Sequence, residues 1–357
     1  MARDARNDNV TMQRDDNLAP AVPAGLKRYS VSAVVPVHAG GRDFELMLDS
    51  LAALRPPCDE VIVVSDGATD DSLERARQRG FRVIALDTRG GPARARNAGA
   101  AAARCDVLFF VDADVTVPPD SVRRIVEAFE AHPGLSALFG SYDDAPAALN
   151  FLSQYKNLFH HYVHQHSRED AWTFWAGCGA ICREAFLSSG GFDEAYREPS
   201  VEDIELGYRL RAAGRRILLL KSLQAKHLKK WDAMGLLKSD FLARALPWTR
   251  LILTRGPTAS DLNLKWSDRA SVVLALLLVL ASIAGLWLSW SFYLAGGIVL
   301  ALLALNAGLY RFFLSKRGTL FALAAIGWHW FYFLYCGVAF AIVLARHAMG
   351  SGAKVTE

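Results

Sequence analysis

Two aspartates one residue apart, Asp112 and Asp114, form the pattern in this chain with the clearest chemical meaning. They follow the apolar run Val107–Val111, which predicts a buried β-strand. Residues i and i+2 of an extended strand point the same way, so both carboxylates can face one hard cation. Mg²⁺ or Mn²⁺ held by one or two carboxylates keeps coordination positions open for phosphate oxygens. A helix-capping role is the alternative for an isolated D-x-D pattern.

A third aspartate, Asp66, also comes at the end of an apolar run. It lies in S-D-G-A-T-D-D (residues 65–71), directly after the candidate strand at residues 60–65. An aspartate at the carboxyl end of a strand can accept hydrogen bonds from the donors of a base or a ribose. The two later aspartates of the motif are expected to cap the next helix.

The segment G-G-P-A-R-A-R-N-A-G (residues 90–99) predicts a glycine-led entry to a helix that carries Arg94 and Arg96 in its first turns. Helix N-termini and guanidinium groups both suit phosphate. Arg96 could equally hold the carboxylates of the D-x-D turn in place. The sequence leaves these two roles of Arg96 open.

A parallel sheet would bring these motifs to one edge, and the sequence predicts such a sheet. Runs rich in Val and Ile alternate with helical patterns, which is typical of βαβ units in an α/β domain. The candidate strands cover residues 32–37, 60–65, 82–86 and 107–111. Because ligands bind beyond the carboxyl ends of such strands, the irregular segment at residues 140–230 is expected to complete the site.

Taken in order, the motifs resemble those of the family 2 glycosyltransferases, which have the GT-A fold, a Rossmann-like and mainly parallel sheet. The matching set is V-V-P-V (34–37), S-D-G-A-T-D-D (65–71), G-P-A-R-A-R-N-A-G (91–99), F-V-D-A-D (110–114), W-A-G-C-G-A-I-C-R (175–183), G-G-F-D-E (190–194) and S-V-E-D-I-E-L-G-Y-R-L (200–210). The likeness covers about residues 29 to 228. Each motif is weak alone, whereas their order and spacing are specific.

The resemblance implies a nucleotide-diphosphate sugar as the donor and Mg²⁺ or Mn²⁺ as the cofactor. Asp66 looks like the base-binding aspartate, Asp112 like the residue near ribose and metal, and Asp114 like the metal ligand. His227 matches a histidine that approaches the metal or the diphosphate, although a packing or surface role fits a lone histidine as well. The implied donor contacts are Pro36, Val37, Asp66, Arg94, Arg96, Asp112 and Ala113, and the implied metal ligands are Asp112, Asp114 and His227.

Glu202 and Asp203 resemble the acidic pair of the family, whose aspartate acts as general base on the acceptor hydroxyl. An alcohol that attacks an anomeric carbon must lose its proton, and a nearby carboxylate can take it. Direct attack opposite the departing diphosphate would invert the anomeric configuration. The alternative is that these acidic residues only stabilise the start of a helix through its dipole.

The acceptor side is assigned to Trp175, Gly177 and Cys178. Trp175 could stack on a sugar ring, or it could be buried between the sheet and a helix. Four histidines at positions 160, 161, 164 and 166 include an i, i+4 pair that could bind zinc. An exposed helix bordering the acceptor site is the expected interpretation, because no cysteine or carboxylate triad accompanies the histidines.

Nearly continuous apolar sequence predicts a membrane anchor of about three helices within residues 269–345. The candidate spans cover residues 270–288, 293–309 and 319–344, each long enough to cross a bilayer. A buried helical core is the alternative. Basic residues ahead of the first span and between the last two place the α/β domain on the cytoplasmic face of the inner membrane by the positive-inside rule.

Composition sets the remaining boundaries. A disordered tail is expected at residues 1–28, the GT-A domain at 29–230, a basic amphipathic interfacial segment at 231–268 and a second tail at 346–357. In the interfacial segment Pro247 is expected to break the helix, and the segment could either lie on the membrane or pack on the catalytic domain. The net charge of +4 does not indicate nucleic acid as a partner. Five scattered cysteines without a C-x-x-C pair fit a cytosolic compartment.

The acidic pair and the anchor together favour transfer of one sugar to a hydroxyl of a membrane-associated acceptor, a lipid or a lipid-linked saccharide. Processive synthases of the family carry Q-x-x-R-W before a span, where this chain has A-L-P-W-T-R (residues 245–250). A polyprenyl phosphate would attack already ionised and needs no strong base, so this acceptor is the alternative. An inactive GT-A domain serving as a membrane scaffold is opposed by the intact D-x-D and acidic-pair motifs.

Overall fold

A computed structural model describes residues 29–68, 70–255 and 262–349. The tail expected at residues 1–28 lies outside the described residues, as does most of the tail expected at 346–357. Residues 346–348 belong to the last helix and not to a tail.

Eight strands among the described residues form one mixed sheet, which confirms the α/β fold class. The strands are β1 (Val31–Val37), β2 (Glu60–Asp66), β3 (Arg82–Leu86), β4 (Val107–Val111), β5 (Val115–Thr116), β6 (Leu135–Tyr142), β7 (Cys178–Cys182) and β8 (Arg216–His227). Their order is β3-β2-β1-β4-β7-β6-β8-β5. The first four strands pair in parallel, and β7 joins β4 to β6 in antiparallel fashion. The four strands expected from the sequence are each confirmed to within one residue.

The helices of the first two-thirds pack on both faces of this sheet. They are α1 (Gly41–Ala52), α2 (Ser72–Gln78), α3 (Pro92–Ala102), α4 (Ser121–Ala131), α5 (Phe151–Gln165), α6 (Arg183–Ser188) and α7 (Glu202–Ala212). Successive strand side chains alternate between faces, so Val35 of β1 joins the core with α1 and α4, whereas Val34 joins the core with α3 and α7. A Cβ atom on Gly99 of α3 would lie 2.4 Å from the Val34 side chain, which shows how closely α3 approaches the sheet.

The histidine-bearing helix α5 is not the exposed helix expected from the sequence. Its Tyr155 and Phe159 are buried against side chains of the C-terminal helices, among them Phe313 and Ala325. The ring centroids of Tyr155 and Phe313 lie 5.8 Å apart. The apolar partners of α5 lie more than 140 positions further along the chain, so the local sequence pattern could not reveal them.

The segment after the sheet forms a nearly continuous helical rod. It comprises α8 (Ala233–Lys238), a π-helical turn (Ser239–Ala245) and α9 (Leu246–Arg255). The expected break at Pro247 is wrong: proline has no N–H to donate into the preceding turn, and a widened π-type turn there lets the helix continue. Trp248 donates its indole N–H to the Tyr208 hydroxyl (2.9 Å), so this side of the rod packs on the catalytic domain. Leu242 is exposed.

Three helices follow, α10 (Trp266–Ala284), α11 (Ser291–Leu305) and α12 (Ala307–Ala348), the last interrupted at Gly318 with φ +80°. Within the described residues, α10 and α12 have the length and apolar composition needed to cross a bilayer, whereas α11 has 15 residues. The expected span at residues 293–309 is shortened because the chain leaves helical geometry at Asn306. The expected basic loop between the last two spans is itself helical, and its Lys316 forms an ion pair with Asp144 of the catalytic domain (2.6 Å).

Candidate functional site

A cavity of about 580 Å³ opens at the carboxyl ends of β1, β2 and β4. Most residues expected at the site line it: Pro36, Val37, Asp66, Arg96, Asp112, Ala113, Asp114, Trp175, Glu202, Asp203 and His227. Three expected residues lie elsewhere. Arg94 donates to the Thr88 carbonyl and hydroxyl oxygens, Cys178 is buried in β7 opposite Val111, and Gly177 lies under the Trp175 ring, which a Cβ atom would meet at 2.6 Å.

The sequence predicted extended backbone at Asp112 and Asp114, but the structure places both residues in a turn. Strand β4 ends at Val111, and the N–H of Val115 donates to the Asp112 carbonyl (3.0 Å), which closes the turn. The two carboxylates therefore have different partners. Asp112 accepts from Arg96 (Nη2 to Oδ1, 2.5 Å), whereas Asp114 Oδ2 lies 3.4 Å from His227 Nε2.

Asp114 and His227 are the two expected metal ligands that the structure brings together. Burial opposes the charge of Asp114, but His227 and Lys229 outweigh this effect and hold the pKa of the carboxyl below its ordinary value. Among the described residues, no three His, Cys, Asp or Glu side chains form a metal-binding group. One carboxylate and one imidazole at an open cavity nevertheless suit a divalent cation that keeps other positions for phosphate oxygens and water.

The sequence left two roles open for Arg96, binding phosphate or holding the carboxylates of the D-x-D turn. In the structure its guanidinium contacts carboxylates. Nη1 donates to Glu202 Oε1 (2.9 Å) and Nη2 to Asp112 Oδ1, and the Arg96 side chain is only 6% exposed. Burial disfavours the charge, yet Asp112 and Glu202 keep the pKa of Arg96 above its ordinary value. Arg96 thus fixes the D-x-D turn relative to the acidic pair at the start of α7.

Asp66 anchors the loop that leads into α3. Its Oδ1 accepts from the Gly90 N–H (2.7 Å) and its Oδ2 from the Gly91 N–H (2.8 Å). Asp66 is 4% exposed and still borders the cavity. The sequence suggested a base-binding role for Asp66, and the structure adds that the same side chain shapes the entrance to α3.

Substituting Gly91 with Ala is expected to lower the free energy of unfolding by about 2–5 kcal/mol, the sum of left-handed strain and overpacking. Gly91 has φ +97°, and a Cβ atom there would lie 2.3 Å from the Arg197 carbonyl oxygen. Gly80→Ala is the matched control, because Gly80 has φ +75° with open space around it. Urea unfolding of both variants measures the difference. An equal loss in the two would contradict the close approach at Gly91.

Asp203 lies at the start of α7, and each of its two carboxylate oxygens accepts a hydrogen bond from one backbone N–H. Oδ2 accepts from the Ala176 N–H (3.1 Å) and Oδ1 from the Ile204 N–H (2.8 Å). Burial, followed by the charge of Glu202, raises the pKa of Asp203 to about 7, against the opposing effects of the Ala176 N–H, Arg96 and Arg244. A carboxyl group that titrates near neutrality is suited to accept a proton from an alcohol.

Glu202 differs from Asp203 because one of its two hydrogen-bond donors is a buried guanidinium and not a backbone N–H. Oε1 accepts from Arg96, and Oε2 accepts from the Ser200 N–H (2.9 Å). Glu202 is 4% exposed. Its contacts are those of a residue that orders the loop before α7.

Several cavity residues were not identified as site residues from the sequence. Tyr142 stacks on His227 (5.0 Å between ring centroids, 12° between planes) and meets Trp175 edge-on at 4.7 Å. Arg244 reaches the cavity wall from the π-helical turn. No local motif marks Tyr142, whereas Arg244 lies one turn before Trp248, whose aromatic character could have indicated the side of the rod that faces the domain.

Two of the histidines of α5, His160 and His164, also line the cavity. Burial lowers the pKa of His164 to about 3, and burial followed by the charge of Lys156 lowers that of His160 well below its ordinary value. Both rings are therefore neutral near pH 7. Both residues line the same cavity as Asp203.

The profile described as Glycosyl transferase family 2 matches residues 32–190. Among curated proteins, the chain is 25% identical over 264 residues to a pre-mycofactocin glycosyltransferase of Mycobacterium tuberculosis, covering 71% of this chain and 51% of that protein. It is 28% identical over 221 residues to validoxylamine A glucosyltransferase of Streptomyces hygroscopicus subsp. limoneus, covering 52% and 48%. The chain spans about half the length of these curated relatives.

Among solved structures, a mannosyltransferase from Pyrobaculum calidifontis in complex with GDP-Man and Mn²⁺ superposes with a TM-score of 0.53 at 15% identity. The alignment covers 91% of this chain and 88% of that one, so the likeness of fold extends into the C-terminal helices. The ordered motifs, the sheet and the profile match identify the domain that contains residues 32–190 as a glycosyltransferase family 2 domain, with the GT-A fold.

Proposed function

We propose that this protein is an inverting, metal-dependent glycosyltransferase that moves one sugar from a nucleotide-diphosphate donor to a hydroxyl of a membrane-associated acceptor. The observation that carries the proposal is the arrangement of one cavity. The Asp114–His227 pair lies on one wall, and Asp203 with its raised pKa lies on another. Arg96 links the two walls through Asp112 and Glu202.

The donor half of the cavity lies at the carboxyl ends of β1, β2 and β4. Asp66, Asp112 and Ala113 border it at the position where the sequence places base and ribose. Asp114 and His227 would hold Mg²⁺ or Mn²⁺, which supplies positive charge to the diphosphate as it leaves. A relative of the same fold that was solved with GDP-Man and Mn²⁺ supports this assignment.

Asp203 serves as the general base of the proposed transfer. The acceptor hydroxyl gives its proton to the Asp203 carboxylate as its oxygen forms a bond to the anomeric carbon. The bond from that carbon to the diphosphate oxygen breaks, and the leaving group carries away the electron pair. One displacement of this kind inverts the anomeric configuration.

The charges around Asp203 favour a neutral hydroxyl over a phosphate as the attacking group. Lys156 is paired with Asp240, and Arg96 is paired with Glu202 and Asp112. These two cations are already matched by carboxylates, so a phosphate beside ionised Asp203 would add like charge in a poorly solvated cavity. Arg244 remains to offset the charge of Asp203 itself.

Helix α5 supports an acceptor that comes from a membrane. One side of α5 lines the cavity through His160 and His164, while its Tyr155 and Phe159 pack on the C-terminal helices. Helix α10 has 19 residues, about 28 Å at 1.5 Å per residue, close to the thickness of a bilayer core. We place these helices in the inner membrane, with the catalytic domain on the cytoplasmic face next to the basic end of α12.

A donor screen tests the proposed function. The full chain, purified in detergent, would receive UDP- and GDP-sugars with Mn²⁺, Mg²⁺ or EDTA, together with membrane lipid extract, and nucleotide release would be measured. Release that needs both metal and extract supports the proposal. Release with polyprenyl phosphate alone would favour the alternative acceptor, and no release from any donor would contradict transferase activity.

The pH dependence of transfer should report the unusual Asp203 carboxyl. Because the base must be ionised, activity is expected to rise through an apparent pKa of about 7 and to fall about tenfold per pH unit below it. An ordinary carboxyl would put this limb near pH 4. The measurement is kcat/KM for the acceptor between pH 5 and 8.5. A flat profile above pH 5 would contradict the raised pKa.

A further inference from the structure

Three buried polar side chains from three separate elements meet beside the cavity. Lys156 of α5 donates to Asp240 Oδ1 (2.5 Å), and the Tyr335 hydroxyl of α12 donates to Asp240 Oδ2 (2.9 Å). The Lys156 and Asp240 side chains are 9% and 4% exposed, and Tyr335 is also buried. One aspartate of the helical rod is thus held from the catalytic domain and from the last C-terminal helix at once.

A buried ion pair contributes little to stability when both ions lose their hydration, because desolvation offsets their attraction. The pair does impose geometry, since a carboxylate whose two oxygens have two different donors has one favoured orientation. Asp240 lies in the π-helical turn, so fixing its side chain fixes that turn. The network is therefore better explained as holding the π-helical turn in place than as stabilising the folded protein.

Arg244 is the residue of this turn that reaches the cavity. It lies one turn after Asp240 in the same π-helical segment, and it lines the cavity together with Glu202 and Asp203. A guanidinium beside the general base can donate to oxygen atoms of the acceptor as the hydroxyl approaches Asp203.

We propose that Asp240 is a positioning residue: Lys156 and Tyr335 hold it, and it sets the place of Arg244 on the acceptor side of the cavity. Through Tyr335 the last C-terminal helix becomes part of the acceptor site and not only an anchor. The inference rests on the proposed function, because it assigns Arg244 to acceptor binding in that reaction.

Removing one hydroxyl tests the link without removing a charge. Tyr335→Phe in the full chain is expected to raise the acceptor KM by about 3- to 10-fold and to leave the donor KM unchanged. Arg244→Gln should raise the acceptor KM at least as much. Tyr293→Phe is the matched control, because Tyr293 is 86% exposed on α11. An acceptor KM for Tyr335→Phe equal to that of the control would overturn the proposal.

A second variant separates positioning from stability. The combined substitution Lys156→Met, Asp240→Leu and Tyr335→Phe removes all three polar groups together, so neither ion of the Lys156–Asp240 pair is left buried without its partner. Its unfolding midpoint is expected to lie near that of the wild type, with the acceptor KM still raised. If the unfolding midpoint and the acceptor KM of the triple variant both equal those of the wild type, the network is only structural and the inference is overturned.

Hydrogen exchange makes failure of this inference distinguishable from failure of the proposed function. Amides of residues 239–246 are expected to exchange faster in Tyr335→Phe than in Tyr293→Phe, whether or not a donor has been found. If the wild type transfers no sugar, the proposed function fails while faster exchange still supports the positional link. Equal exchange in the two variants would overturn the link, even in an active transferase.

Discussion

Replacing Asp203 with Asn is expected to lower the rate of sugar transfer by about 10²- to 10⁴-fold, the usual contribution of general-base catalysis. The amide keeps the shape of the side chain, and its oxygen can still accept from the Ala176 N–H. It cannot take the proton of an alcohol. Donor binding should survive because the hydrogen bonds of Asp203 are to the Ala176 and Ile204 N–H groups and not to the Asp114–His227 pair. The rate of product formation and the affinity for the nucleotide together measure the effect.

Asp193→Asn is the control for this experiment, because Asp193 is exposed and its side chain only accepts from the Ala195 N–H in a local turn. Its transfer rate should match that of the wild type. Unchanged transfer in Asp203→Asn would contradict the base assignment. Loss of nucleotide binding together with activity would mean that Asp203 supports the cavity and does not act on the acceptor.

The cavity residues that follow β1, β2 and β4 could be predicted because they lie in short local patterns. Runs of Val and Ile ending in aspartate predict both a strand and the side chain that follows it. Parallel pairing of β1, β2 and β4 then brings Asp66 and Asp112 to the same edge. The turn geometry at Asp114 could not be predicted in this way, since it depends on the Val115 N–H and on the antiparallel pairing of β5 with the end of β8.

The part of the cavity lined by Arg244 and α5 depends on contacts between distant parts of the chain. Arg244 enters the cavity because the rod keeps its helical course past Pro247 and docks Trp248 on Tyr208. The sequence indicated that the helix breaks at Pro247, and such a break would have separated Arg244 from the helix that carries Trp248. Likewise, the aromatic side of α5 has a partner only when α12 is in place. The C-terminal helices and the cavity are therefore connected by packing between distant segments, which a local sequence motif does not indicate.

Replacing Arg96 with Met is expected to lower the free energy of unfolding by about 3–5 kcal/mol, as found when one partner of a buried ion pair is removed. Glu202 would keep its charge at a site that is 4% exposed and would lose its cation. Asp112 would also be released from its 2.5 Å contact, so the D-x-D turn and the acidic pair would no longer be held together. Chemical denaturation followed by tryptophan fluorescence measures the loss.

Arg94→Met, two residues earlier on α3, is the matched control because Arg94 donates only to Thr88 near the surface. Its loss should be much smaller. Adding Glu202→Leu to Arg96→Met should recover part of the stability, since the orphaned buried charge is then gone. Sugar transfer should stay low in the double variant, because Asp112 remains without its guanidinium. Recovery of transfer would mean that Arg96 stabilises the fold alone and that the two walls of the cavity need no link between them.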